Sequence, residues 1–154
     1  MAIQYIDYNA RYFTKACALI WSSITILNSE DYSPATIKIM KDWQTPQRLI
    51  QKFTSGRYFL AIDNDQVVAI GGLVNNEVCT MFTHPGYIKQ GIASRILSKI
   101  ELTARQTEIK KIVLSSTLTA KEFYLKSGFK IIQQTIHQLD GKDFAVYEME
   151  KILS

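Results

Sequence analysis

From Arg57 onward the residue pattern changes period, and that change limits the fold more than any other feature of the chain. Before it, Phe13, Ala16, Cys17, Ile20, Ile24 and Leu27 recur at three- and four-residue steps, the mark of one apolar helix face. After it, Arg57–Ile62, Gln66–Val74 and Glu77–Thr83 are strand-like runs separated only by Asp63-Asn64-Asp65 and Asn75-Asn76. Connections that short join antiparallel neighbours, so three consecutive antiparallel strands are expected in the middle of the chain.

The flanking segments complete the pattern. Ile3 and Tyr5 suggest a first strand, and Asn9 suits the N-cap of a helix running to Asn28. Ser33-Pro34 and Thr45-Pro46 are cap-then-proline signals. They predict a helix through Met40-Lys41 and another to about Phe53. Gly91–Thr107 reads as a helix, Lys111–Ser116 as a strand, and Thr119–Ser127 as a helix closed by Gly128. Phe129–Leu139 and Lys142–Lys151 are strands around the tight-turn pair Asp140-Gly141. The expected class is α+β, α/β-like in places, with a sheet of about seven strands and helices on its faces. The length of 154 residues fits one domain, and neither a linker nor an internal repeat interrupts it.

Charge narrows the choice of partner. The formal +4 sits entirely in residues 78–154. Between His84 and Lys130, nine Lys or Arg face only Glu101, Glu108 and Glu122. A basic half suits an anionic partner such as nucleic acid, a membrane surface or a phosphorylated cofactor, and equally a solvated helix face. Cys17 and Cys79 stand alone, and His84 and His137 lack ligand-spaced partners, so no metal site is expected. Buried free thiols fit a reducing compartment, and no signal peptide or membrane span is visible. A cytoplasmic protein is expected.

Chemistry concentrates in Met81-Phe82-Thr83-His84-Pro85-Gly86-Tyr87-Ile88-Lys89-Gln90-Gly91-Ile92-Ala93-Ser94-Arg95, where a strand, a short loop and a helix start succeed one another. The helix's first N–H groups lack partners and can converge on an anion, and small residues let phosphate oxygens approach the main chain. No Walker loop and no dinucleotide fingerprint is present. A second stretch, Leu118-Thr119-Ala120-Lys121-Glu122-Phe123-Tyr124-Leu125-Lys126-Ser127-Gly128-Phe129, lies about thirty residues later.

Together, in this order, the two stretches resemble the GCN5-related N-acetyltransferase (GNAT) superfamily. The first resembles its acetyl-CoA motif, Arg/Gln-x-x-Gly-x-Gly/Ala, with Ile88 at the Arg/Gln position and Ala93 at the second small one. The second resembles its Asn-Ala-x-x-Phe-Tyr-x-Lys-x-Gly-Phe motif, with Thr119 at the asparagine. The likeness covers essentially the whole chain. Asp31-Tyr32-Ser33-Pro34 with Trp43 further resembles a bacterial subgroup of small single-domain members.

The resemblance implies a mixed, mostly antiparallel sheet with helices on both faces. It also implies acetyl transfer from acetyl-CoA to an amine by direct attack in a ternary complex, without a metal. Tyr124 takes the family's general-acid position, although a packed helix tyrosine is the plain alternative. Glu77, eleven residues before Ile88, is the candidate base, with a solvent-facing strand start as its equal. His84 is the weaker base candidate. The implied cofactor contacts are Phe82, Thr83, Ile88, Lys89, Gln90, Gly91, Ile92, Ala93, Ser94, Arg95, Thr119 and Lys126. An N–H near Met81–Thr83, where the family's strand bulges and splays, is the expected oxyanion donor. Glu30, Asp31, Tyr32 and Trp43 are candidates for the acceptor side. The expected partners are acetyl-CoA and an amine acceptor, with no nucleic acid and no membrane, in a monomer or homodimer. A CoA-binding module that has lost catalysis and serves as a sensor is the second reading.

Overall fold

The computed structural model describes residues 2–153. In chain order its elements are β1 (Gln4–Asp7), a one-turn 3-10 helix (Ala10–Tyr12), α1 (Phe13–Leu27), α2 (Pro34–Trp43) and α3 (Pro46–Ser55). Next come β2 (Arg57–Asp63), β3 (Gln66–Val74), β4 (Glu77–Thr83), a second 3-10 turn (Pro85–Tyr87) and α4 (Ile92–Gln106). The chain closes with β5 (Lys111–Ser116), α5 (Lys121–Lys126), β6 (Lys130–Leu139) and β7 (Lys142–Ile152).

The three helix starts form for the reasons their residues give. Asn9 accepts from the Arg11 N–H, Ser33 from Thr36 and Thr45 from Arg48, each satisfying an orphan donor of the first turn. The predicted final helix is shorter than its sequence signal. Thr119 and Ala120 lie in a turn, and the helix begins at Lys121.

Seven strands form one sheet in the order β1-β2-β3-β4-β5-β7-β6. Every pairing is antiparallel except β4 with β5. This is the mixed α+β sheet expected. Helices cover both faces. Ile96, Leu97 and Ile100 of α4 are fully buried against Phe59, Ala61 and Val68, in a cluster that also takes in Tyr124 and Phe129 around α5. On the opposite face Ile20 and Ile24 of α1 and Leu49 and Phe53 of α3 pack on Tyr58, Leu60 and Ile70. Each such aliphatic side chain contributes ~1.5–3 kcal/mol on leaving water. The absent side chain at Gly71 admits α4, since a Cβ there would lie 2.7 Å from Ile96 and 2.2 Å from Met81 Sδ.

A bulge in β4 redirects the second half of that strand. Cys79 pairs with Gly72 and Phe82 with Ile70, so Thr80 and Met81 together oppose Gly71. Thr80 takes φ +58, a strained value for a β-branched residue, and the Tyr58 hydroxyl sits 3.2 Å from its Oγ1. Beyond the bulge β4 turns away from β5, and the two pair only at Glu77 and Val113. Among the described residues no helix is long and apolar enough to cross a membrane. Cys17 and Cys79 are free thiols, the first buried and the second half-buried.

Candidate active site

The splay between β4 and β5 opens a cleft of about 960 Å³ that receives residues from α1, α3, α4, α5 and the loops beside them. One wall is the exposed edge of β4. The His84 N–H donates to the Val68 carbonyl at 2.8 Å. Alternation along the strand therefore turns the Phe82 N–H toward β3 and the Met81 and Thr83 N–H groups toward the cleft.

The loop after β4 is held in shape by its own side chains. His84 Nδ1 accepts from the Gly86 N–H at 2.9 Å, and the Tyr87 hydroxyl donates to Asp63 Oδ2 at 2.6 Å, tying the loop to the β2–β3 turn. Lys89 and Gly91 both adopt left-handed backbone, at φ +61 and φ +80. Gly91 opens α4, where the N–H groups of the first turn have no intrahelical partner. A Cβ at Gly91 would meet nothing within 4 Å. The result is an open, donor-rich cradle of the kind that suits an anion.

Phe82, Thr83, Ile88, Lys89, Gly91, Ile92, Ala93 and Ser94 line the cleft, as do Thr119, Tyr124 and Lys126 across from them. Four expected residues do not. The Gln90 amide reaches back to the Gly86 carbonyl at 3.4 Å. Arg95 lies one turn along α4 with its guanidinium 5.1 Å above the Tyr5 ring, so its charge is spent on an aromatic face away from the cleft. Glu77 is exposed at the start of β4 and outside the lining. His84, occupied as the cap of its own loop, is outside the lining as well.

Tyr124 is buried between Phe123 and Phe129, with ring centroids at 5.1 and 5.6 Å. Its hydroxyl makes no hydrogen bond among the described residues. Burial, with a smaller contribution from the nearby Cys79 thiol, raises its pKa above that of an ordinary phenol. Cys79 is itself pushed up to about 11, first by burial and then by the Glu77 charge, with Lys52 acting in the opposite sense. Glu77, Cys79 and Lys52 thus share one neighbourhood at the root of the splay.

Of the four acceptor-side candidates, only Glu30 lines the cleft. Asp31 accepts from the Thr119 hydroxyl at 2.7 Å. Tyr32 donates to the Ala145 carbonyl at 2.8 Å and accepts from the Leu118 N–H at 2.9 Å. These bonds strap the α1–α2 loop to the β5–α5 loop across one end of the cleft. Trp43 faces outward beneath the Arg48 guanidinium, 3.5 Å from its ring centre. Sequence reasoning missed Ser23, Asn28, Gln44, Lys52 and Ser115–Thr117, all of which line the cleft. For Lys52 a signal existed: Leu49, Lys52 and Phe53 fall at i, i+3 and i+4, which sets the lysine at the edge of a buried face.

The splayed parallel strand pair, the bulge and the donor-rich start of the following helix lie together around this one cleft. The family model for the Acetyltransferase (GNAT) domain matches residues 28–151, and the chain belongs to that family. It is an N-acetyltransferase by that membership. It is 26% identical over 147 residues to the uncharacterized N-acetyltransferase YafP of Escherichia coli, covering 96% of this chain and 94% of that one. Among solved structures, a GCN5-related N-acetyltransferase from Rhodopseudomonas palustris superposes with a TM-score of 0.94 at 17% identity, over 99% of this chain and 97% of that one. A GNAT acetyltransferase from Staphylococcus aureus gives 0.75 at 28% identity, over 99% and 100%. The PaiA N-acetyltransferase of Thermoplasma acidophilum, solved with coenzyme A, gives 0.80 at 18% identity, over 99% of each chain.

Proposed function

We propose that residues 1–154 form one acetyltransferase domain that moves the acetyl group of acetyl-CoA to a primary amine by direct attack, with both substrates bound. The observation that carries this reading is the open left-handed Gly91 at the mouth of the splay with Tyr124 across the same cleft. Acetyl-CoA supplies the activated acetyl group and a thiolate leaving group.

The chain's own residues divide the work. The N–H groups of Gly91 to Ser94 at the start of α4 hold the pyrophosphate, with those of Lys89 and Gln90 just before them and the Lys126 ammonium nearby. Ile88 contributes main chain and an apolar side, and its lost polar contact is offset by these donors. The outward N–H groups of Met81 and Thr83 stabilise negative charge as it develops on the acetyl oxygen. Tyr124 gives its proton to the departing sulfur. Burial, which raises its pKa, holds the proton on the phenol until negative charge develops on the sulfur. Glu77 accepts the amine proton through water, since it stands on the face shared with Cys79 rather than in the cleft lining. Thr119 spends its hydroxyl proton on Asp31, so it offers the cofactor arm an acceptor lone pair and not a donor.

Two measurements test the reading. Calorimetry is expected to show acetyl-CoA binding in the micromolar range, and a panel of primary amines is expected to release free thiol. Binding without release from any amine points instead to the sensing module.

A further inference from the structure

The acceptor half of the cleft holds two side chains that the reaction as described leaves unused. Gln44 ends α2, and both of its main-chain groups are fixed. Its N–H donates to the Lys41 carbonyl at 3.0 Å, and its carbonyl accepts from the Trp21 indole at 2.7 Å. Gln44 lines the cleft, and its Oε1 is enclosed with no hydrogen-bond partner among the described residues. Such an orphaned acceptor is a cost to the folded chain, and a ligand that brings an N–H removes it.

Lys52 is the second. It projects from α3, is half-buried, and lines the same cleft without an ion pair among the described residues. Its charge is felt at Cys79, just before the bulge, so the ammonium stands close to where β4 leaves β5. The charged groups around it are accounted for. Lys89 and Lys126 enter from the loop after β4 and from α5, on the phosphate side. Asp31 is held by Thr119, and Glu77 stands by Cys79 outside the lining. Glu30, in the loop after α1, is the lining carboxylate. The acceptor side therefore presents one cation, one anion and one unpaired carbonyl, each on a different element.

We infer that the acceptor is an amine that also carries a carboxylate: the carboxylate pairs with Lys52, and the amine end is held by Glu30, with the Gln44 amide turning to bring Oε1 to it. This rests on the acetyl-transfer reading above. It excludes polyamines as the preferred class, because a second ammonium in place of the carboxylate would face Lys52.

The test uses matched acceptors: phenylalanine with phenethylamine, lysine with cadaverine, and 6-aminohexanoate with hexylamine. Thiol release is the readout. The carboxylate member of at least one pair is expected to show kcat/KM about tenfold or more above its partner, the effect of one charge-assisted contact. Lys52→Met is expected to collapse that ratio to within about twofold of unity. Gln44→Leu is expected to raise KM for the favoured acceptor by about tenfold, while its Tm stays level or rises because an orphaned acceptor is gone. A preference for the neutral or doubly cationic member, no preference at all, or a Lys52→Met loss shared equally by both members overturns the inference. Calorimetry with acetyl-CoA alone keeps the two levels apart: if the cofactor binds and the pairs are not discriminated, the acceptor assignment fails and the acetyl-transfer reading survives.

Discussion

Gly91→Ala separates a glycine needed for folding from one needed for binding. Gly91 sits at φ +80, and the added methyl would meet nothing within 4 Å. The folding cost is therefore the left-handed penalty alone, ~1–2 kcal/mol for an L-residue. For a chain of this size each kcal/mol lowers Tm by about 2–4 °C, so the ligand-free protein should melt about 2–8 °C lower. The binding cost is a separate quantity. The methyl occupies the space through which a phosphate would reach the first-turn N–H groups of α4. Losing one such hydrogen bond to a charged oxygen costs ~1.5–3 kcal/mol, which weakens acetyl-CoA by about tenfold or more. Gly141 supplies the control. It has φ +78, also with nothing within 4 Å of a Cβ, but it lies in the β6–β7 turn. Gly141→Ala should give the same drop in Tm and an acetyl-CoA affinity within about twofold of the parent. Scanning calorimetry and isothermal titration on the three proteins provide the comparison. If Gly91→Ala binds acetyl-CoA as tightly as Gly141→Ala does, no phosphate approaches the start of α4, and the cradle argument is wrong.

Three other expectations concern the reacting groups. Tyr124→Phe should lower kcat by about a hundredfold or more, the usual contribution of a positioned acid, and leave acetyl-CoA affinity nearly unchanged; unchanged turnover would remove Tyr124 from that role. Because the hydroxyl makes no hydrogen bond among the described residues, the same variant should be no less stable than the parent. Glu77→Gln should depress turnover most at neutral pH and regain rate as pH rises and the amine sheds its own proton; a loss constant with pH would sink the base assignment. Burial raises the Tyr58 and Tyr124 pKa values in the folded chain above the unfolded value of 10.0. The folded state thus keeps protons that the unfolded chain releases, so stability is intact below pH 10 and falls above it, by ~1.4 kcal/mol per pH unit for each phenol. Urea midpoints from pH 8 to 11 should show a shallower fall for Tyr124→Phe than for the parent, and parallel curves would contradict the burial argument.

The sheet was legible because its connections are local. Asp63-Asn64-Asp65, Asn75-Asn76 and Asp140-Gly141 are turns whose residue types dictate left-handed backbone, and Asn64, Asp65, Asn75, Asp140 and Gly141 all adopt it. With those three corners fixed, β2–β3–β4 and β6–β7 can only be hairpins. The departure came where a tertiary contact overrode a local signal. Thr119 and Ala120 read as the first residues of the last helix, but the Thr119 hydroxyl goes to Asp31, eighty-eight positions away, and the helix starts at Lys121. Arg95 stands one turn past the start of α4, with its guanidinium over the Tyr5 ring.

The two halves of the site differed in legibility for the same physical reason. The proposed cofactor half is built from main chain in one continuous segment, so its geometry follows from where β4 stops and α4 starts. That is visible as Gly91 followed by small residues. The proposed acceptor half is assembled from the loop after α1, the end of α2 and one face of α3, and no spacing in the sequence states that these meet. Gln44 entered it because Trp21 of α1 holds its carbonyl, and Lys52 because Leu49 and Phe53 turn that face of α3 toward the sheet. The bulge then completes the arrangement. Thr80 at φ +58 marks the bulge beyond which β4 and β5 no longer pair, and the cleft opens there between the segment that the sequence could specify and the elements that it could not. A substitution that relieves Thr80, such as Thr80→Gly, removes the conformational strain but also the Tyr58 contact that fixes the bulge. It should therefore leave the melting temperature little changed while broadening the position of the Met81 and Thr83 N–H groups. A fall in kcat larger than the change in acetyl-CoA affinity would show that the bulge serves the reacting carbonyl. A loss confined to stability would show that it serves only the sheet.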